Sequence, residues 1–196
     1  MKKNIIITGG IGYIGTELCK IYSGISWNNN ITVVDNRFVS ERVTQLRNWN
    51  ISFIHGDILD KELMNKVCKN ADIVHHLAGI TDVPRVKSET NQEKDEKIKL
   101  VAEEGTQNII DAISDKCKII LPSTHVVYEG IKEVKNNIQE DEETNPILSY
   151  ATSKDINEKQ LKKSKKNYII LRLGSVYGYS TDTARIDIMP NLFSKI

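Results

Sequence analysis

Two groups of residues have types and spacing suited to chemistry. The first is a glycine-rich turn, Thr8-Gly9-Gly10-Ile11-Gly12-Tyr13-Ile14-Gly15. It contains G-x-G-x-x-G at Gly10, Gly12 and Gly15, and the wider G-x-x-G-x-x-G at Gly9, Gly12 and Gly15. Glycine serves such a turn in three ways. It permits a tight reversal, close backbone approach to a diphosphate, and close packing of helix on strand. A helix that begins there offers free N–H groups and the positive end of its dipole to phosphate oxygens. Asp35 lies about 20 residues beyond Gly15. A carboxylate at that distance can accept from both hydroxyls of an adenosine ribose and repels a 2′-phosphate, which favours NAD over NADP. Arg37, close by, softens that preference. The competing reading is a glycine turn used for packing alone, with Asp35 an ordinary strand-end residue. The joint spacing favours the dinucleotide site.

The second group is Tyr150 and Lys154, spaced i, i+4 near the start of a predicted helix. That spacing puts phenol and ammonium on one helix face. A nearby cation favours phenolate and lowers the tyrosine pKa from its reference value of about 10. A phenol tuned in this way can work as acid or base near neutral pH. Alone the pair is weak, because Tyr and Lys at this spacing are common on helix surfaces. Pro122-Ser123-Thr124 adds hydroxyls at the carboxyl end of a predicted strand, where doubly wound sheets gather their ligands. A hydroxyl there can hydrogen-bond a substrate oxygen while the tyrosine takes or gives a proton. Its plainer role is to satisfy local backbone.

The elements that must position these groups alternate along the chain. Strands are predicted at Lys3–Thr8, Ile31–Asp35, Ile51–His55, Ala71–Ala78, Lys118–Ser123 and Tyr168–Leu173, each a short run rich in apolar or β-branched residues. Helices are predicted at Ile11–Ser23, Ser40–Asn48, Asp60–Lys69, Lys97–Ser114 and Pro146–Lys165. Ser40 and Asp60 are candidate N-caps. Ile98, Val101, Ile109, Ile110 and Ile113 mark the apolar stripe of the longest helix. Alternation of this kind implies βαβ crossovers and a Rossmann-like α/β fold, a doubly wound parallel sheet with helices on both faces.

Composition removes several classes of function. The 196 residues carry 27 Lys plus Arg against 26 Asp plus Glu, a net charge of +1. So neutral a chain has no global field for nucleic acid or anionic lipid. No apolar run approaches a membrane span of roughly 18 residues. Cys19, Cys68 and Cys117 are far apart and odd in number. They argue against a disulfide framework or zinc site, for a reducing compartment, and so for a cytoplasmic protein. His75 and His76 are neighbours on a strand, point to opposite faces and cannot share a metal. No metal site is expected. Trp27 and Trp49 are read as surface-edge packing, and the 161–166 basic run as a solvated helix end.

The chain resembles the extended short-chain dehydrogenase/reductases, in particular the NAD-dependent epimerase/dehydratases of nucleotide sugars. The likeness runs almost from end to end. Gly9, Gly12, Tyr13, Ile14 and Gly15 fall in the opening glycine signature, and Asp35 and Asn36 in the ribose-binding strand end. Gly56-Asp57-Ile58 resembles the adenine-contacting segment, with Asp57 on the exocyclic amine. His76-Leu77-Ala78-Gly79 resembles the motif lining the cofactor. Thr124 takes the hydroxyl role by alignment on Tyr128, and Tyr150 and Lys154 fall on Y-x-x-x-K. Leu171 to Gly178 resembles the segment near nicotinamide and substrate. The resemblance implies transient oxidation of a sugar hydroxyl, with Tyr150 as acid/base. It implies Lys154 on the nicotinamide ribose, and Thr124, helped by Ser123, on the reacting oxygen. It also implies a nucleotide-sugar substrate and dimerisation through two helices. A catalytically weak NAD-binding module, or a reductase of a non-sugar carbonyl, are the alternatives.

Some positions depart from the family pattern. His125 and Val126 stand where the 4,6-dehydratase branch has Asp-Glu, which disfavours that branch. Ala102 stands where Asn is frequent, Glu129 is inserted between Tyr128 and Gly130, and Ser175 replaces a frequent Asn. Family members usually continue well past this length, into a substrate lobe. Residues 1–178 are accordingly read as the NAD-binding domain and 179–196 as the start of that lobe. The sequence is then either a fragment or a protein without a full substrate pocket.

Overall fold

The computed structural model describes residues 2–25, 29–81, 91–178 and 180. Trp27 and, Ser180 apart, the 179–196 stretch lie outside the described residues. Six strands form one sheet: β1 (Asn4–Thr8), β2 (Asn30–Asp35), β3 (Ser52–His55), β4 (Ile73–His76), β5 (Lys118–Thr124) and β6 (Asn167–Leu173). Their order is β3-β2-β1-β4-β5-β6, and neighbouring strands run parallel. The order reverses between β1 and β4. Such a switch point opens a crevice at the carboxyl ends of the strands, and the candidate residues stand there.

The sheet is covered on both faces, and β1 shows why its sequence is a continuous apolar run. Ile5 and Ile7 pack in one cluster with Ile11, Cys19, Val33 and Leu46. Ile6 points the other way, into a cluster with Val34, Met64, Ile109 and Ile119. Strand side chains alternate in direction, so a strand buried on both faces needs every position apolar.

Helices α1 (Tyr13–Ile25), α2 (Ser40–Asn48) and α3 (Lys61–Cys68) follow the first three strands. Asp60 caps α3, accepting from the Leu63 amide at 2.9 Å. Ser40 does not cap α2. The N-cap is Val39, with no side-chain bond, and the Ser40 hydroxyl donates to Glu41 Oε2 at 2.9 Å. The helix expected over 97–114 starts earlier and is interrupted. It comprises α4 (Gln92–Leu100), a π-helical turn (Val101–Gly105) and α5 (Thr106–Ala112). The first six residues of α4, Gln-Glu-Lys-Asp-Glu-Lys, carry no apolar stripe for periodicity to detect. At the π turn Gly105 lies against Ile58, so closely that a Cβ would stand 2.3 Å from Ile58 Cδ1. Helix α6 (Ser149–Ser164) precedes β6.

The two-faced burial of β1 makes a stability prediction. Ile7→Ala removes a side chain that is 0% exposed and is expected to cost about 3 kcal/mol in urea unfolding. Ile21→Ala, on a residue 57% exposed, is expected to cost less than about 0.5 kcal/mol. Equal losses at the two positions would contradict this packing.

Candidate active site

The glycine turn joins β1 to α1 and is built by contacts that exclude side chains. Gly9 has φ +72°, and a Cβ there would stand 2.7 Å from the Ala78 backbone nitrogen. A Cβ on Gly15 would stand 2.5 Å from the Gly9 carbonyl oxygen. The turn closes through Gly12 N donating to Gly9 O at 3.1 Å, and α1 opens with Thr16 N donating to Gly12 O at 2.9 Å. The amides of Tyr13, Ile14 and Gly15 therefore precede the helical ladder and, among the described residues, are left for another acceptor. Gly12 and Gly15 line the mouth of a cleft of about 1320 Å³. Bare backbone facing a cleft at a helix N-terminus suits an anionic diphosphate.

Asp35 stands at the end of β2, its side chain 4% exposed. Its Oδ2 accepts from the Ile11 amide at 3.2 Å, and its Oδ1 from the Arg37 amide at 3.0 Å. The carboxylate thus ties the strand end to the glycine turn while lining the cleft. The Arg37 Nε lies 3.5 Å from Oδ1, with the side chain 57% exposed. Asn36 donates to Asp57 Oδ2 at 2.9 Å, which fixes a second carboxylate on the same wall. Ile58, Leu77, Ala78 and Gly79 also line the cleft. The Tyr13 hydroxyl donates to the Gly178 carbonyl at 2.8 Å.

At the other end of the same cleft are Ser123, Thr124, Tyr150 and Lys154. Thr124 ends β5, and its Oγ1 accepts from the Val126 amide at 3.3 Å. Tyr150 and Lys154 occupy the first two turns of α6. Ser123 lines the cleft, but its hydroxyl is committed. It donates its one proton to Glu158 Oε1 at 2.6 Å, which leaves only its acceptor lone pairs to the cleft. Glu158 is 1% exposed and also accepts from Arg172 Nη2 at 2.7 Å. Arg172 in turn hydrogen-bonds the Tyr128 hydroxyl and stacks over the Tyr128 ring, 5.0 Å from its centroid. The cluster holds β5, β6 and α6 together beneath the site. Its salt bridge and serine bond hold the Glu158 carboxyl below the usual range, against the upward pull of burial. His125 is not engaged there; its ring contacts the Leu173 carbonyl at 3.2 Å.

Burial sets the electrostatics. Lys154 is 7% exposed, and desolvation pushes its ammonium down to about 8. His75 and His76 do point to opposite faces. His75 Nε2 pairs with the Tyr22 hydroxyl at 2.7 Å. His76 Nδ1 meets Thr8 Oγ1 at 2.9 Å, and its Nε2 meets Thr106 Oγ1 at 2.9 Å. Asn157 donates to the same Thr106 oxygen at 2.8 Å and to the Ala102 carbonyl, also at 2.8 Å. A buried polar chain therefore runs from the residue before the glycine turn to the helix that carries Tyr150 and Lys154. In the sequence His76 stands in the motif likened to the cofactor lining and Arg172 in the Leu171 to Gly178 segment, whereas Asn157 and Glu158 stand outside every motif. Their partners are distant in sequence, and only the i, i+4 spacing of Lys154 and Glu158 hints that one helix face is committed.

His76 makes a pH prediction. Burial, and then the Lys154 charge, push its imidazole down to about 3 from 6.5. The unfolded chain then binds the extra proton between those values, and stability rises with pH across the window. The stabilisation is complete above about 6.5 and is lost as pH falls towards 3. Urea midpoints of the wild type are expected to fall more between pH values of about 7 and 4 than those of His76→Gln. Parallel curves would contradict a neutral, buried His76.

The model of the NAD dependent epimerase/dehydratase family matches residues 5–196. The UDP-glucose 4-epimerase of Mycoplasma genitalium is 30% identical over 190 residues, covering 90% of this chain and 54% of that protein. A UDP-N-acetyl-alpha-D-glucosaminuronate decarboxylase of Bacillus cytotoxicus is 35% identical over 130 residues, 65% of this chain and 38% of that one. Among solved structures, the UDP-glucose 4-epimerase of Brucella ovis in complex with NAD superposes with a TM-score of 0.74 at 27% identity. That likeness covers 94% of this chain and 54% of the other. The Bordetella bronchiseptica enzyme WbmH in complex with NAD+ gives a TM-score of 0.74 at 26% identity, over 90% of this chain and 57% of that one. The chain thus spans about half the length of such relatives. It belongs to the NAD-dependent epimerase/dehydratase family.

Proposed function

We propose that this chain binds NAD in the cleft and acts on a nucleotide sugar as an epimerase or related oxidoreductase. One observation carries the proposal: a single continuous cleft joins Gly12 and Asp35 at one end to Thr124, Tyr150 and Lys154 at the other. In this reading residues 1–178 form the nucleotide-binding domain and also carry the reacting groups. The fit rests on the turn's bare backbone, the open amides of α1 and the buried Asp35 carboxylate. Gly9, Gly12, Tyr13, Ile14 and Gly15 would hold the diphosphate. Asp35 would accept from the adenosine ribose, Asp57, fixed by Asn36, would meet the adenine, and Ile58, Leu77, Ala78 and Gly79 would wall the cofactor.

Bound NAD supplies a reversible hydride acceptor next to the substrate carbon. The protein supplies the proton path. Tyr150, as general base, would take the proton of a sugar hydroxyl as the carbon loses its hydride, and later return that proton to the keto oxygen. Thr124 hydrogen-bonds the same oxygen. Lys154 bonds the nicotinamide ribose. Ser123, through Glu158, supports α6 against β5. Relatives named for UDP-glucose and for a UDP-linked uronate make UDP-sugars the substrates to try first. A nucleotide-binding module with weak turnover is the second reading.

Tyr150→Phe tests the assignment. Loss of a general acid/base group is expected to lower turnover of UDP-glucose or UDP-glucuronic acid by about 10²–10⁴-fold. NAD affinity by calorimetry is expected to stay within about threefold, because the ring and Lys154 remain. NAD binding with no turnover in the wild type would favour the module reading. Undiminished turnover in the variant would remove Tyr150 from the chemistry.

A further inference from the structure

Helix α6 carries Tyr150 in its first turn, and its N-cap position holds Leu148, which has no capping side chain. The exposed amides at a helix start need acceptors. One comes from outside the helix. Glu129 Oε1 accepts from the Leu148 amide at 2.6 Å and from the Ile147 amide at 2.7 Å. Glu129 sits in the turn just after the short 3-10 helix His125–Tyr128, which follows Thr124 directly.

This bond closes a longer seam. Asn145 N donates to Val127 O at 2.8 Å, and Gly130 N donates to Asn145 O at 2.8 Å. The Asn145 side chain returns to the Gly130 carbonyl at 2.9 Å. The approach is so close that a Cβ on Gly130 would stand 2.4 Å from Asn145 O. The seam therefore joins the segment leaving Thr124 to the segment entering Tyr150. Glu129 is its last link, nearest the tyrosine, and the one made by a charged group. Hydrogen bonds to a carboxylate are roughly twice as strong as neutral ones, and negative charge is favoured beside a helix N-terminus.

We propose that Glu129 is a positioning residue whose carboxylate ties the turn after Thr124 to the entry of α6, and so sets Tyr150 against Thr124. The proposal rests on the reading of Thr124 and Tyr150 as the acting pair. It assigns a task to an inserted residue that touches neither substrate nor cofactor. Removing the side chain leaves two amides without their acceptor and lets the first turn of α6 drift. Gln keeps one acceptor oxygen without the charge.

The test uses the full chain labelled with ¹³Cζ-tyrosine, as wild type, Glu129→Ala and Glu129→Gln. The Tyr150 signal is assigned by its loss in Tyr150→Phe. Glu129→Ala is expected to move the Tyr150 signal by several linewidths, and Glu129→Gln to restore most of it. The Tyr22 signal, hydrogen-bonded to His75, and the Tyr168 signal, on β6, are expected to stay. Where the wild type turns over UDP-glucose or UDP-glucuronic acid, kcat of Glu129→Ala is expected to fall roughly tenfold or more, with KM and NAD affinity held within about threefold. An unmoved Tyr150 signal overturns the proposal. So does a shift shared equally by Tyr22 and Tyr168, which would mark general loosening. Should Glu129→Ala fail to fold, Glu129→Asp decides. It keeps the charge, shortens the reach by one methylene, and is expected to give a smaller Tyr150 shift; none would overturn the proposal. A wild type without turnover counts against the proposed function alone, since the Tyr150 signal still decides the role of Glu129.

Discussion

The site depends on how closely backbone can pass backbone between β1 and α1. Gly9 approaches the Ala78 backbone, and Gly15 approaches the Gly9 carbonyl, at separations that no Cβ could occupy. Because these positions are bare, α1 can begin directly above the end of β1. Its first amides then face the crevice where the sheet order reverses. Any side chain at Gly15 would push the helix back and draw its N-terminus away from the cleft. The Asp35 carboxylate reinforces the arrangement by accepting from the Ile11 amide within the turn. A group suited to a ribose is in this way also a strut of the loop that would hold the phosphates.

Two buried polar assemblies fasten the rest to that turn. The Thr8–His76–Thr106–Asn157 chain links β1 and β4 with α5 and α6. The Ser123–Glu158–Arg172 cluster links β5, α6 and β6. Both meet α6 one turn after Lys154. Buried polar groups are costly unless satisfied, and satisfied networks favour one arrangement over its neighbours. The two assemblies therefore fix the rotation of α6, which decides whether Tyr150 and Lys154 face the cleft. Burial of Lys154 follows from this, and the depression of its pKa to about 8 is the electrostatic cost.

Much of this was legible in the sequence, for identifiable reasons. The strands were marked by short apolar or β-branched runs, because a parallel sheet covered on both faces demands them. The glycine turn was marked by spacing, because only glycine fits. Asp60 was legible as a cap because capping is local. What was hidden is what depends on distant partners. Ser123 lies beside Thr124 in sequence, yet its hydroxyl answers to a carboxylate 35 residues away. The start of α4 was hidden because its residues are charged on all sides. The π turn was hidden because it is set by packing of Gly105 on Ile58. Ser40 has the residue type of a cap, but the helix already begins at Ser40 and the extended Val39 holds the cap position.

In the proposed function one molecule of NAD spans the cleft from the glycine turn to α6. A crystal structure of the full chain grown with NAD tests it most directly. The diphosphate is expected against the amides of the first turn of α1, the adenosine ribose hydroxyls on Asp35, and the nicotinamide ribose within hydrogen-bonding distance of Tyr150 and Lys154. A dinucleotide bound elsewhere, or one whose nicotinamide end points away from Tyr150 and Lys154, would contradict it.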